Sequence, residues 1–233
     1  VLGSKQSIHN VSNISSLQVQ GSSISTSAAR NIGANMDRSL DMQDHVKSVC
    51  KSTYNNLRNI SRIRKYLTED AAATIIHSLV ISKLDSLNAL LYGLPDTILQ
   101  KLQLIQNHAA KLVVRKKKFD HVTPIMVSLH WLPIPYRIKY KILLLTHKCV
   151  HGKAPEYLSS LVTQYEPGCA LRSSDCYLLK EKKMRLKTYG DRAFSAAAPR
   201  LWNTLPITLR KCDDEDCFKK GLKTFLFRQA FDV

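Results

Sequence analysis

Apolar residues recur at three- and four-residue intervals from Val46 to Leu67, and this spacing constrains the fold more than any other feature of the sequence. An α-helix turns by about 100° per residue, so the spacing places these side chains along one side of a helix. The segment therefore predicts a long, core-facing helix that begins near Asp44. Its apolar positions are Val46, Val49, Cys50, Thr53, Leu57, Ile60, Ile63 and Leu67.

Helical periodicity with recognisable start and stop residues continues through most of the remaining chain. Thr68 is a favourable N-cap, and acidic residues follow it at the positive end of the next helix. Asp96 is an N-cap candidate for a third helix, and Pro199 is expected to kink or break the helix that contains it. The core-facing residues expected in the second, third and last helices are Ile75, Ile76, Leu79, Val80 and Leu84, then Ile98, Leu102, Ile105, Ala109 and Leu112, and finally Phe218, Leu222, Phe225 and Leu226.

The N-terminal residues lack this helical pattern and are rich in Ser, Asn, Gln and Ile. They predict an edge strand near residues 1–3, a loop up to Ser16, and a β-hairpin that pairs residues 17–19 with residues 32–36. The complete pattern predicts a mainly α protein, a helical bundle with a small N-terminal β-hairpin.

The chain is strongly basic, with 35 Lys and Arg against 18 Asp and Glu and a net charge of +17. The excess is spread along the chain, which distinguishes it from a basic tail. A globular chain of this charge typically binds a polyanion, nucleic acid first and an acidic membrane second. The alternative is that the charge only keeps the protein soluble.

Five cations on the first predicted helix fall within an arc of about 60° when they are placed at 100° per residue. A helix that buries one side and carries cations beside it can lie along a phosphate backbone, although a solvated face is an alternative. Further cations stand at the end of the third helix, where they suit the helix dipole, and in the irregular basic segment of residues 166–189. The candidate nucleic-acid-binding residues are Lys47, Lys51, Arg58, Arg62, Lys65, Arg115, Lys116, Lys117, Lys118, Arg185 and Lys187.

No catalytic or metal-binding pattern is evident in the sequence. The acidic cluster of residues 213–216 immediately precedes the last predicted helix, where negative charge stabilises the helix dipole. The six cysteines lack the spacing of a zinc site and are expected to be reduced thiols. Phosphate-binding loops and nucleophile motifs are also missing. We therefore expect no cofactor, no metal, no small-molecule substrate and no enzymatic activity in this chain alone.

Several stretches, in order along residues 30–230, resemble LINE-type (non-LTR) retrotransposon reverse transcriptases of the jockey and chicken-repeat kind. The more specific motifs are WLP at residues 131–133, HGKAP at 151–155, YGDRAFS at 189–195 and PRLWN at 199–203. The segment of residues 45–67 resembles the first thumb helix of that family, and residues 71–95 resemble its next block. Departures from the family pattern occur at residues 34–36, at Leu87 and at residues 180–184.

The resemblance implies the thumb and post-thumb region, which helps to hold the RNA template and the growing duplex. The implied segments are the end of the palm with a primer-grip-like hairpin at residues 1–43, a helical thumb-like domain at residues 44–165, and a basic loop with a C-terminal helical extension at residues 166–233. In that family the catalytic aspartates and the endonuclease lie upstream, so no catalytic role is carried over to this chain.

The resulting hypothesis is a non-catalytic fragment that binds the backbone of RNA, of an RNA–DNA hybrid or of DNA. The alternatives are a truncated, pseudogene-like fragment with no function of its own and one piece of a longer, active RNA-directed DNA polymerase. The sequence shows no signal peptide and no apolar run of the roughly 20 residues that cross a bilayer. We therefore expect no membrane association and an intracellular location, nuclear or cytoplasmic, and the missing initiator Met favours a fragment.

Overall fold

The computed structural model describes residues 16–19, 22–25, 28–37, 39–117, 119–166 and 177–232. Most of these residues are helical, and short antiparallel strands occur near the N-terminus. The prediction of a mainly α protein with a small N-terminal β element is therefore confirmed.

The β element consists of two short hairpins, so the predicted pairing was wrong. Strand β1 (Ser16–Val19) pairs with β2 (Ser22–Ser25), and β3 (Ala28–Asn31) pairs with β4 (Ala34–Asp37). The sequence favoured pairing between residues 17–19 and 32–36, but each strand instead pairs with its nearest neighbour along the chain. Local pairing costs less loop-closure entropy than the longer connection. The predicted edge strand at residues 1–3 lies outside the described residues.

The chain forms two compact units, which are described separately. Unit 1 contains residues 1–87 and 94–120, and unit 2 contains residues 88–93 and 121–233. These limits differ from the segment limits after residues 43 and 165 that the family resemblance implies. The units are defined by contacts within the folded chain, whereas the segments come from the family resemblance. The division into these segments stays a prediction.

In unit 1 the long helix α1 (Gln43–Ile63) packs against α4 (Asp96–Val113) and against β4. Its buried residues include Val46, Leu57 and Ile60, as the periodicity predicts. The backbone N–H of Asn35 on β4 donates to Nδ1 of His45 at 3.5 Å and connects the hairpin to α1. A 3-10 turn (Arg64–Tyr66) follows α1 directly.

The second predicted helix contains a π-helical turn. It comprises α2 (Glu69–Ile76), the π turn (His77–Ile81) and α3 (Ser82–Asp85). The Thr68 side chain accepts a hydrogen bond from the Ala71 N–H at 3.2 Å, so the predicted N-cap is confirmed. Leu79, however, is exposed, contrary to prediction, because the π turn changes which residues face the core.

Unit 2 has a core built by helices from distant parts of the chain. Its helices are α5 (Thr123–Ser128), α6 (Ile134–Val150), α7 (Glu156–Ser159), α8 (Lys187–Gly190), α9 (Phe194–Asn203), α10 (Ile207–Arg210) and α11 (Glu215–Phe231), and a 3-10 turn (Asn88–Leu91) belongs to the same unit. Helix α6 packs against α9 and α11. The buried cluster consists of Leu132, Leu143, Leu179, Trp202, Leu205, Phe218, Leu222 and Leu226.

Trp202 and Asn203 attach an irregular segment to this core. The Trp202 indole N–H donates to the carbonyl oxygen of Tyr177 at 2.9 Å. The Asn203 amide accepts from the Leu179 N–H and donates to the Leu179 carbonyl oxygen, both at 3.0 Å. Leu179 also forms an isolated antiparallel bridge with Gln164. This part of the basic segment is therefore tied to the core, and residues 167–176 lie outside the described residues.

Two predicted details of the helices, the N-cap of α4 and the burial of Leu112, were wrong. Pro95, rather than Asp96, occupies the N-cap of α4, and no side chain caps that end. Pro199 lies inside α9, so the helix does not break there, and the kink stays a prediction. Leu112 is only partly buried, and the adjacent Val113 is fully buried instead. Among the described residues, no helix has both the length and the apolar composition that crossing a bilayer requires.

Candidate nucleic-acid interface

The five predicted cations on α1 and its 3-10 extension are all exposed. They lie away from the side that carries the buried Val46, Leu57 and Ile60, because the two sets occupy different angular positions on one helix. The amphipathic pattern therefore holds one strip of positive charge in solvent. We call this strip the α1 cationic face; it consists of Lys47, Lys51, Arg58, Arg62 and Lys65.

The cations of this face differ in their protein partners. The Lys47 ammonium lies 3.2 Å from a carboxylate oxygen of Asp44, in an exposed ion pair that water and salt screen. The Lys65 ammonium lies 4.7 Å from the ring centroid of Tyr66. No hydrogen bond or ion pair joins the side chains of Lys51, Arg58 and Arg62 to the described part of the chain. These three cations are available to an anionic ligand.

Two more lysines of unit 1 extend the positive charge around α1. The ammonium of Lys83 on α3 donates a hydrogen bond to the Ser52 hydroxyl. Lys101 on α4 is exposed, and it acts electrostatically on Cys50, whose thiol pKa is raised by burial and lowered to a smaller extent by this lysine. Lys83 and Lys101 were missing from the predicted set, because their proximity to α1 depends on helix packing.

Arg115 has a structural role that the sequence did not indicate. Its Nη2 donates to the carbonyl oxygens of Arg64, Lys65 and Leu67 at 3.2, 3.3 and 2.9 Å. These carbonyls lie at the C-terminal end of α1 and its 3-10 turn, where the helix leaves acceptors unpaired. The guanidinium therefore caps that end, and its predicted contact with nucleic acid stays a prediction.

Arg64 makes the reciprocal contact and was missing from the predicted set. It is 6% exposed, and its Nε and Nη2 donate to the carbonyl oxygens of Leu112 (2.8 Å) and Val113 (2.5 Å) at the end of α4. Nη1 donates to the Leu67 carbonyl oxygen at 2.7 Å. Burial, followed by the nearby Arg115, lowers the pKa of Arg64, and Glu69 opposes the shift. Arg64 thus caps the C-terminal end of α4, and Arg115 caps the C-terminal end of α1 and its 3-10 turn.

The basic run after Arg115 lies in a turn. The backbone N–H of Lys116 donates to the Lys111 carbonyl oxygen at 3.0 Å, and that of Lys117 donates to a carboxylate oxygen of Asp120 at 2.7 Å. The side chains of Lys116 and Lys117 are exposed, and Lys118 lies outside the described residues. The structure therefore leaves two lysines of the predicted run open to solvent in unit 1.

Arg185 and Lys187 belong to unit 2, whereas the α1 cationic face belongs to unit 1. Arg185 is exposed, and the side chain of Lys187 is outside the described residues. Their predicted role in binding stays a prediction.

The carboxylates of residues 213–216 interact with the surrounding helices. Asp214 caps α11 by accepting the Cys217 N–H at 2.7 Å. The Glu215 carboxylate lies 3.2 Å from the Lys148 ammonium and 2.9 Å from that of Lys219. Hydrogen bonds from these two lysines lower the Glu215 pKa. These contacts support the structural interpretation of the cluster, and within the described ranges no group of His, Cys, Asp and Glu has the arrangement of a metal site.

A buried histidine lies beside this cluster in unit 2. The His147 ring stacks between His151 and Phe218, with centroid distances of 4.1 and 4.2 Å. Its Nε2–H donates to the Cys212 carbonyl oxygen at 2.7 Å, and its Nδ1 has no hydrogen-bond partner within the described chain. Burial is the largest cause of its lowered pKa. The ring is therefore a neutral core group, enclosed by aromatic neighbours and poorly placed to act as a base.

The arrangement that emerges in unit 1 is a packed helix with exposed cations, next to two helix ends that are capped by arginines. It can attract and hold a polyanion, and its packing gives the cations fixed relative positions along α1. Comparison of the chain with protein-family models, with curated proteins and with solved structures finds no match in any of the three.

Proposed function

We propose that this chain binds the sugar-phosphate backbone of RNA, of an RNA–DNA hybrid or of DNA through the α1 cationic face, as the non-catalytic thumb and post-thumb part of a LINE-type reverse transcriptase. The observation that carries the proposal is the set of Lys51, Arg58 and Arg62, which are exposed on one side of a packed helix and whose side chains have no hydrogen-bond or ion-pair partner among the described residues. The family assignment rests on the WLP, HGKAP, YGDRAFS and PRLWN motifs.

The dimensions of the face suit this ligand. Lys47 and Arg62 are fifteen residues apart, which corresponds to about 22 Å along a helix with a rise of 1.5 Å per residue. A nucleic-acid strand places a phosphate about every 3.4 Å of axis in a duplex, so several phosphates lie within reach of the five cations. Counterions released from those phosphates provide the driving force, and the affinity is expected to fall steeply as salt rises.

The proposal is tested by replacing the three unpaired cations. The triple variant Lys51→Gln, Arg58→Gln and Arg62→Gln is expected to bind a fluorescent RNA–DNA hybrid more weakly, with a slope of log K against log salt that is smaller by up to about 2.7, at about 0.9 per lost phosphate contact. Fluorescence anisotropy over a series of salt concentrations measures both quantities.

A control with the same change in charge separates a specific face from general basicity. Lys220, Lys223 and Arg228 are exposed on α11 in unit 2, and replacing all three with Gln also removes three positive charges. This control is expected to keep most of the salt slope. Equal losses in the two triple variants would show that net charge alone drives binding, and the face would then have no special role.

The absence of catalysis in this chain is part of the proposal. Its support is that these carboxylates of the acidic cluster already have protein partners. Asp214 caps α11, Glu215 pairs with two lysines, and Asp213 contacts His151. A primer-extension assay with the purified chain, an RNA template, Mg²⁺ and deoxynucleotides is expected to give no product. Templated DNA synthesis would refute this part, and a paired-aspartate motif in frame upstream would place the chain in a longer polymerase.

A further inference from the structure

An aromatic pair lies beside the α1 cationic face. The rings of Tyr54 on α1 and His108 on α4 have centroids 6.2 Å apart and planes at 89°, which is an edge-to-face arrangement. Tyr54 is 40% exposed, and His108 is exposed as well. A tyrosine and a histidine in contact on a protein surface leave ring surface open to a planar ligand.

Two of the unpaired cations flank this pair. Lys51 lies three residues before Tyr54 and Arg58 lies four residues after it, so all three side chains share one side of α1. Along α4, Leu104 lies one turn before His108 and is 58% exposed, and Lys101 lies near the same edge of α1. The surface therefore combines aromatic and apolar groups with cations on two sides.

We propose that Tyr54 and His108 form a stacking site for the bases of single-stranded RNA or DNA, whose phosphates lie against Lys51 and Arg58. This inference rests on the proposed function and specifies the form of nucleic acid that the face prefers. In a duplex, neighbouring base pairs cover the faces of the bases, whereas a single strand exposes them to aromatic side chains. Cations spaced three and four residues from the ring hold the backbone while the base stacks.

The test compares two single strands that have the same backbone charge and differ in their bases, together with a duplex that carries about twice that charge and covers the faces of its bases. Fluorescence anisotropy is measured with oligodeoxythymidine of about twelve nucleotides, with an abasic oligomer of the same length, and with a duplex of that length. The wild-type chain is expected to bind oligodeoxythymidine at least about fivefold more tightly than the abasic oligomer, because stacking on an aromatic side chain contributes at least this much per base.

Two substitutions at one position provide the matched control. Tyr54→Leu is expected to remove the preference for oligodeoxythymidine over the abasic oligomer, while the affinity for the abasic oligomer stays unchanged. Tyr54→Phe retains the ring and is expected to retain the preference. His108→Gln removes the second ring and is expected to reduce the preference. Circular dichroism verifies that each variant keeps its helix content.

The outcomes distinguish this inference from the function on which it rests. If the wild-type chain binds none of the three ligands, the proposed function fails. If oligodeoxythymidine and the abasic oligomer bind with equal affinity, or if Tyr54→Leu weakens the abasic oligomer as much as oligodeoxythymidine, the backbone is bound and the stacking site is refuted. A dimer of the unliganded chain in sedimentation that both Tyr54→Leu and Leu104→Ser dissociate would assign the patch to a second copy and overturn the inference.

Discussion

Replacing Arg64 with Met is expected to destabilise unit 1 strongly, although Arg64 is one of several cations in a basic stretch. Methionine can occupy the space of the aliphatic stem but supplies no hydrogen-bond donor. The carbonyl oxygens of Leu112 and Val113 then lose the guanidinium that pairs them at the end of α4, whereas the Leu67 carbonyl keeps its bond from Arg115.

The magnitude follows from the two carbonyls that lose their partner. An unpaired buried polar group costs about 1–3 kcal/mol, and the substitution also relieves the cost of burying a guanidinium. We expect a net loss of about 3 kcal/mol in the free energy of unfolding of unit 1. With a urea m-value of about 2 kcal/mol per molar, the unfolding midpoint falls by about 1.5 M.

The assay combines urea unfolding with hydrogen exchange measured by mass spectrometry. Exchange measured peptide by peptide is expected to become faster in α1 and α4 and to stay unchanged in α6 and α11, because the lost contacts lie within unit 1. Arg62→Met is the matched control, since Arg62 is exposed and its replacement is expected to change stability by less than about 0.5 kcal/mol. Equal midpoints for the Arg64 and Arg62 variants would refute the capping role.

Two further predictions concern unit 2. Burial lowers the pKa of His147 from its usual 6.5, so below that pH the folded chain binds fewer protons than the unfolded chain. The contribution of His147 to the free energy of unfolding is therefore fully present above pH 6.5. It declines as the pH falls below 6.5, by up to about 1.4 kcal/mol per pH unit. His147→Gln is expected to reduce the loss of thermal stability between pH 7 and pH 5.5, and an unchanged pH dependence would contradict this assignment. Asp214→Ala removes the N-cap of α11 and is expected to lower the free energy of unfolding, measured in urea, by about 1 kcal/mol. The matched substitution Asp213→Ala, at an exposed residue, is expected to lower it by less. A larger loss for Asp213→Ala would show that the hydrogen bond between Asp213 and His151 outweighs the cap.

The sequence predicted the parts of the fold that depend on local patterns. The periodicity of α1 identified its buried side, and Thr68 identified the start of α2, because helix geometry and N-cap chemistry act over a few residues. The hairpin pairing failed since a polar, Ser-rich segment has no strong apolar alternation to specify a strand register. Asp96 failed as an N-cap because the preceding Pro95 takes that position.

The candidate site was predicted in part for the same reason. Exposure of the α1 cations follows from the helix pattern, whereas the contact between Tyr54 and His108 depends on how α1 packs against α4. The position of Arg64 in the sequence indicates its burial, although Arg64 was missing from the predicted set. It lies four residues after Ile60 and seven after Leu57, so it continues the apolar stripe, and an arginine at such a position needs internal acceptors.

The π turn has a consequence for how the chain tolerates changes in length. A π turn accommodates one more residue than an α-helical turn, so deleting one residue from His77–Ile81 would restore regular α-helical winding and leave the following residues pointing in nearly the same direction. Leu84 would then stay in the core, and Lys83 would stay on the side that faces Ser52. The same deletion within the regular winding of α1 would rotate the residues after it by about 100° and carry a buried residue such as Ile60 out of the core.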